Sequence, residues 1–426
     1  MSAGAVLITL IAQSSLGYLA VHHGHFVERD SVTNVITDAD VFLAGVNQAW
    51  VNFRGDFGSD WGNVVPNKTF ETFESTVSEL SRAGGNAVRF WVHCDGATTP
   101  AFDEQGNVID TDVEQWAHTQ GRLSGDMQRY LHIASTYKVK ILFSLFNFGI
   151  QKDALKGGRL LTDDGAFASY VSHALNPIVQ AAKGSEALLG FEVCNEPEGM
   201  MSGIEGAGWS EPTVSVATVL SFINRVAGAI HDADANALVT VGSWSLKVVT
   251  DEGIGNKALY NDSSLIAAGG HAKGILDFYQ AHWYDAVGHG MVNPFQHTYT
   301  DYHLSKPLLV GEFSQCCSGP PAAVDASTTT TIKSSLSAAT LGSPKAAQVQ
   351  GCTSKGLSSS AMFVHLKTNG FHGGLAWQAN DHDGPPNGSG VCGDTFATML
   401  AGIRALATHR RQDLSRDLHA LGAELL

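Results

Sequence analysis

Basic residues are scarce in this chain: 26 Lys and Arg stand against 41 Asp and Glu among 426 residues, a formal charge of −15. That field excludes nucleic acid and anionic membrane surfaces as partners, because like charges repel, whereas a neutral polymer is indifferent to it. Beyond the first twenty residues no apolar run is long enough to span a bilayer. Cysteines are few, and no Cys-x-x-Cys pair is present, so no structural zinc site is expected. The clusters VHHGH (Val21–His25) and NDHDGP (Asn380–Pro385) lack the helical His-Glu-x-x-His spacing, so no catalytic metal or other cofactor is expected. Neither an internal repeat nor a linker divides the chain.

What is present begins with MSAGAVLITLIAQSSLGYLA, an apolar run followed by small residues. Residues 1–20 read as a secretory signal peptide cut between Ser15 and Ala20, although Lys and Arg are missing from its start. Three glycosylation sequons, at Asn67, Asn261 and Asn387, agree with an extracellular destination. Of six cysteines, Cys316, Cys317, Cys352 and Cys392 fall in the last third, where one or two disulfides are expected; Cys94 and Cys194 are expected to be free and buried.

Residues 21–426 show short apolar, β-rich runs alternating with amphipathic stretches. Strands are predicted near Val41–Asn47, Ala87–His93, Val139–Asn147, Leu188–Glu196, Leu238–Ser243, Ile275–Tyr284, Pro307–Phe313 and Gly373–Ala379. Helices are predicted over Thr69–Gly85, where Phe70, Phe73, Val77 and Leu80 recur at helical spacing before Gly84, and over Val216–Asp234. Alternation of this kind predicts a single α/β domain, a (β/α)8 TIM barrel, although a doubly wound open sheet would give the same pattern. Leu19–Ile36 reads as a short N-terminal hairpin closing the barrel floor. The Ser-, Thr- and Ala-rich stretch Ser318–Ser360 reads as a long loop or partly helical excursion after strand seven.

Chemistry-bearing residues gather at one end of these strands. Arg89 lies on strand two, Asn195 and Glu196 end strand four, His282 and Tyr284 end strand six, Glu312 ends strand seven, and Trp377 lies on strand eight. In a barrel the C-terminal strand ends open on one mouth, so the two glutamates would face each other there. Facing carboxyl groups suit glycosidic cleavage: one gives a proton to the leaving oxygen, while the other, ionised, attacks the anomeric carbon if the two are about 5–5.5 Å apart. Arg89 and Tyr284 are candidate donors to Glu312, Asn195 a candidate for the sugar 2-hydroxyl, and His93 a candidate sugar contact. Trp50, Trp91, Trp209, Trp244 and Trp283 are candidate platforms for pyranose rings. Taken singly each reads as ordinary structure: Asn-Glu-Pro as a turn, Arg89 as the partner of a core carboxylate such as Glu192, and His282 and Trp377 as core residues. Their common position at the strand ends favours the catalytic reading.

The stretches FLAGVNQAWVNF (Phe42–Phe53), GGNAVRFWVHCDG (Gly84–Gly96), CNEPEG (Cys194–Gly199), VTVGSWSLK (Val239–Lys247), HWYD (His282–Asp285) and LVGEFSQ (Leu309–Gln315) resemble glycoside hydrolase family 5, and most closely its animal endo-β-1,4-mannanases of molluscs and arthropods. The resemblance covers nearly all the chain after residue 20. It implies a retaining hydrolase with Glu196 as acid/base and Glu312 as nucleophile. Arg89, Asn195, His282, Tyr284 and Trp377 would then line the subsite of the cleaved sugar. It also implies a secreted monomer acting on β-mannan, glucomannan and galactomannan. Phe146 and Asn147 stand where such mannanases have a Trp, and Ser318–Ser360 is longer than the pattern. A β-glucanase, a transglycosylase and a barrel that only binds glycans are the competing readings.

Overall fold

A computed structural model describes residues 36, 41–58, 66–109, 123–250, 258–284, 292–314, 357–379 and 396–406. The expected signal peptide, nearly all of the N-terminal hairpin, both His/Asp clusters, Asn387, four of the cysteines and most of the Ser318–Ser360 excursion lie outside them.

Eight strands form a closed parallel barrel in chain order: β1 (Leu43–Asn47), β2 (Ala87–Cys94), β3 (Lys140–Asn147), β4 (Leu188–Asn195), β5 (Val239–Ser243), β6 (Tyr279–Trp283), β7 (Leu308–Phe313) and β8 (Gly373–Ala376). All eight coincide with the predicted runs, seven of them trimmed at one or both ends and β2 one residue longer, to Cys94. Closure decides between barrel and open sheet: β1 pairs with β8 through Leu43–Gly373, Ala44–Gly374, Gly45–Leu375 and Val46–Ala376. Nearly every strand residue is buried, as expected for a parallel sheet covered on both faces.

Helices α1 (Pro66–Arg82), α2 (Leu123–Thr136), α3 (Gly157–Thr162), α4 (Asp164–Tyr170), α5 (Asn176–Ala182), α6 (Val216–Ala233), α7 (Asp262–Gly269) and α8 (Ser359–Thr368) connect them. A π-helical segment, Val171–Leu175, joins α4 to α5, and a further helix covers 396–406. Between β6 and β7 the described residues form only two short 3₁₀ turns, Pro294–Gln296 and Tyr299–Tyr302. No helix among the described residues is long and apolar enough to cross a membrane. Asn261, in one of the sequons, caps α7 by accepting from Ser264 N at 2.8 Å.

Two cores follow from strand alternation. Along β2, Val88, Phe90 and Val92 join the layer between sheet and helices. On that side Phe73 of α1 meets Phe90 and Tyr130, each at 4.9 Å between ring centroids. Ala87 joins Leu43, Leu142, Leu189, Phe278, Leu309 and Leu375 in a separate apolar cluster inside the barrel. Next along the same face comes Arg89, and then Trp91 in an aromatic cluster with Trp50, Phe53 and Trp377. The barrel is therefore filled by an apolar plug, a polar layer and an aromatic rim.

Phe73 is wholly buried, so Phe73→Ala should cost about 3–5 kcal/mol by lost transfer energy and the cavity left behind. Urea unfolding reads that loss, and it should leave the site's chemistry nearly unchanged because Phe73 lies behind β2. A cost below about 1 kcal/mol would contradict this packing.

Candidate active site

The polar layer centres on Arg89, which is fully buried. A guanidinium has five N–H donors in a fixed fork, and every one finds an oxygen. Nε donates to Glu192 Oε2 and Nη2 to Glu192 Oε1, both at 2.6 Å. Nη2 also reaches Asn195 Oδ1 at 2.6 Å, while Nη1 reaches Asn47 Oδ1 at 2.9 Å and Glu312 Oε1 at 2.6 Å. Glu192 additionally accepts from Ser144 Oγ at 2.6 Å and Gln280 Nε2 at 2.5 Å. Burial alone would raise the Glu192 carboxyl, but the Arg89 charge and these bonds hold it below the ordinary range. The crossing needs a glycine: a Cβ on Gly242 of β5 would fall 2.8 Å from Glu192 Oε1 and 3.1 Å from Arg89 Nη2.

Above this layer the two expected glutamates meet. Glu312 accepts from Tyr284 OH at 2.6 Å on the oxygen that Arg89 does not hold. His282 Nδ1 stands between the carboxyl groups, 2.9 Å from Glu196 Oε1 and 3.5 Å from Glu312 Oε2. One oxygen of each glutamate and a His282 nitrogen lie within 4.8 Å of one another. This triad is the cluster among the described residues that offers metal-ligand atoms; acidic groups this close also occur without an ion.

The two carboxyl groups are held differently. Burial pushes Glu196 up to about 7, the Glu192 charge adding to it and Arg89 opposing. Glu312 is also raised by burial and by Glu196, but His282, Arg89 and the Tyr284 hydroxyl all favour its ionised form. His282 is pushed down to about 4 by burial, so it is neutral at pH 7. A neutral imidazole Nδ1 serves either protonation state of Glu196 through its choice of tautomer.

Strand geometry accounts for how these residues converge. A register shift between Ala281 and His282 marks the end of β6, and bulges of this kind re-aim side chains at barrel rims. Glu196 itself sits in the left-handed region at φ 45°, ψ 54°, just past β4. Its side chain is 18% exposed, against 5% for Glu312.

Two aromatic groups flank the pair. On the β8–β1–β2 arc, Trp50 lies 5.2 Å from Trp91 and 6.1 Å from Trp377, and a cis peptide follows Trp377. After β3, β4 and β5, Trp209 lies 5.7 Å from Phe148 and 5.9 Å from Trp244. Trp50, Phe53, Trp377, Phe148 and Trp209 are all partly exposed.

Several expectations need correction. His93 is not with the others: the register shifts between Trp91 and Cys94, and His93 is fully buried. Its ring lies 4.8 Å from Phe146 and its Nδ1 3.0 Å from Thr99 Oγ1. Burial pushes its pKa down to about 3, so it is a neutral core histidine. Arg89 lies beneath the cleft rather than lining it, because all its donors are used internally. Trp283 alternates away from His282 and packs 5.2 Å from Phe295 on the helix side. Phe146 is likewise buried behind β3. Cys94 and Cys194 are free and buried, as expected. Asn47 escaped the sequence reading; its signal is its place as the last residue of β1, beside Arg89 in register.

Folded Glu196 keeps its proton to about pH 7, while the unfolded chain releases it near 4.5. The folded state therefore binds more protons between those values, and stability falls as pH rises through that window. Glu196→Gln removes this penalty and should gain on the order of 1–3 kcal/mol relative to the parent at pH 7, with no gain below pH 4.5. Urea denaturation at both pH values reads the difference; an equal effect at both would contradict the raised pKa.

Residues 44–337 match the family described as cellulase, glycosyl hydrolase family 5. A mannan endo-1,4-beta-mannosidase of Mytilus edulis is 39% identical over 294 residues, 65% of this chain and 76% of its own. One from Cryptopygus antarcticus is 32% identical over 382 residues, 86% of each chain. The solved β-mannanase of Mytilus edulis superposes with a TM-score of 0.65 at 32% identity, covering 86% of this chain and 91% of its own. The endo-1,4-beta-mannanase of Eisenia fetida reaches 0.68 at 32% identity, covering 86% and 91%. A closed eight-stranded barrel, facing glutamates at its mouth and matches of this extent lead to one conclusion: the chain belongs to glycosyl hydrolase family 5 and is a glycoside hydrolase.

Proposed function

We propose that this enzyme is a retaining endo-β-1,4-mannanase, with Glu196 as acid/base and Glu312 as nucleophile. The observation that carries the chemistry is the approach of the two carboxyl groups, oxygen to oxygen within 4.8 Å. Such closeness suits direct attack at the anomeric carbon; the wider spacing of inverting enzymes, about 6.5–9.5 Å, leaves room for a water between. Glu196 gives its proton to the leaving oxygen while Glu312, oriented by Arg89 and Tyr284, bonds to the sugar. Water then enters, loses a proton to Glu196 and releases Glu312. A partly shielded acid whose pKa is pushed up to about 7 keeps that proton at neutral pH and still gives it up.

The aromatic groups on both sides of the glutamates support a polymer that continues in both directions, hence internal cleavage. Mannan is favoured over glucan by the animal mannanases that this chain resembles along most of its length. The two sugars differ at the C2 hydroxyl. Arg89 takes Asn195 Oδ1, which leaves Nδ2 as the amide donor to that hydroxyl. The N-terminal apolar run and the sequons support export.

Reducing-sugar release from linear β-1,4-mannan, with carboxymethyl cellulose in parallel, tests the reading. Mannan should be cleaved and cellulose left nearly untouched; release from cellulose alone would overturn the substrate. Glu196→Ala should lower turnover by about 10²–10⁴-fold, and Glu312→Ala at least as much, both with the fold intact. Near-normal turnover in either folded variant would remove the mechanism.

A further inference from the structure

Among the described residues two side chains, Arg89 and Tyr284, hydrogen-bond Glu312, but the Glu196 carboxyl has one side-chain hydrogen-bond partner, His282. Its aim therefore depends on the backbone turn that carries it. That turn is short and rigid: Glu196 N donates to Gly242 O of β5 at 2.6 Å, Gly199 N returns to Glu196 O at 2.9 Å, and Pro197 fixes the next φ. Directly after Pro197 comes Glu198, fully buried, with no role in the scheme above.

Glu198 reaches across to the end of β5. Its carboxyl accepts from Ser243 Oγ at 3.0 Å, from Trp244 N at 3.2 Å and from Tyr260 OH. Among the described residues no Lys or Arg hydrogen-bonds or ion-pairs with it; its partners are neutral donors. Ser243 Oγ also lies 3.0 Å from Ser245 O, so this hydroxyl can donate to an ionised Glu198 or accept from a protonated one. The contact survives in both states. Glu198 O accepts from Gly208 N at 3.0 Å and Gly199 O from Ser210 N at 2.8 Å, on either side of Trp209. A Cβ on Gly199 would fall 2.7 Å from Phe148 and 2.8 Å from Trp209. One buried carboxylate thus ties the Glu196 turn, the start of the β5 loop and an aromatic flank of the cleft into a single unit.

We propose that Glu198 is a positioning residue for proton transfer: through Pro197 it fixes where Glu196 presents its proton to the leaving oxygen. A buried carboxylate without a cation is costly, and a loop staple of comparable strength could be apolar. The carboxyl group adds direction, since its two oxygens gather Ser243 Oγ, Trp244 N and Tyr260 OH around one point.

The proposal rests on Glu196 being the acid/base, and leaving-group dependence separates the two claims. A dinitrophenyl β-mannobioside departs without a proton; mannohexaose needs one. kcat/KM reports the first chemical step for both. Glu198→Gln should lower kcat/KM on mannohexaose about 10–100-fold, the scale of a 1 Å misplacement, and change it less than about threefold on the aryl substrate. Tyr260→Phe, which removes one donor and leaves Glu198 in place, should show the same split at smaller size. It carries the test if Glu198→Gln does not fold. Equal losses on both substrates in a folded variant would make Glu198 a staple and overturn the proposal. Glu196→Ala, run alongside, should show the largest split; if it shows none, the acid/base assignment fails and this inference falls with it.

Discussion

The Arg89 guanidinium is sealed inside the barrel with its N–H groups directed at oxygens of Glu192, Asn195, Asn47 and Glu312. Burying such a charge is tolerable when all its donors are satisfied, and removing one partner of a buried pair typically costs about 3–5 kcal/mol. The geometry around it is correspondingly constrained. Asn47 passes the constraint to strands β7 and β8 through Gly311 O at 2.9 Å and Leu375 O at 3.2 Å. Gly242 leaves the space in which Arg89 and Glu192 cross. Barrel closure and site electrostatics therefore share one set of contacts.

From that arrangement comes the inequality between two residues of the same type. Glu312 lies against a cation and a phenol, with little exposure. Glu196 lies at the rim on a left-handed residue, and among the described residues its side chain bonds only to a neutral imidazole. Two carboxyl groups this close release their protons in two steps that belong to the pair. The surroundings decide which one keeps the proton: donors favour charge on Glu312, and burial with the Glu192 charge disfavours it on Glu196. The acid and the nucleophile are thus assigned by environment rather than by residue type.

Much of this was legible in the sequence because barrel strands are continuous apolar runs whose polar residues collect at one end. The eight strands, the α1 face of Phe70, Phe73, Val77 and Leu80, and the meeting of Glu196 with Glu312 all follow from that pattern. What the sequence concealed was direction. Period-two alternation does not reveal a bulge, so His93 read as a mouth residue when the shift after Trp91 turns it into the core. Trp283, one residue from His282, points the opposite way for the ordinary reason that neighbours on a strand do. Arg89 showed its charge but not that five acceptors would exhaust it. Glu198, in CNEPEG, reads as loop acid until Tyr260 and the β5 end are seen beside it.

The central claim is that Arg89 and its partners set the two glutamates close together with the proton on Glu196, so cleavage proceeds through a covalent glycosyl-enzyme. Proton NMR of the anomeric region during the first minutes of mannohexaose hydrolysis tests it most directly. The β-anomer should form first and mutarotate slowly to the mixture. An α-anomer as the first product would mean that water attacks directly, and the account of Glu312 would be wrong.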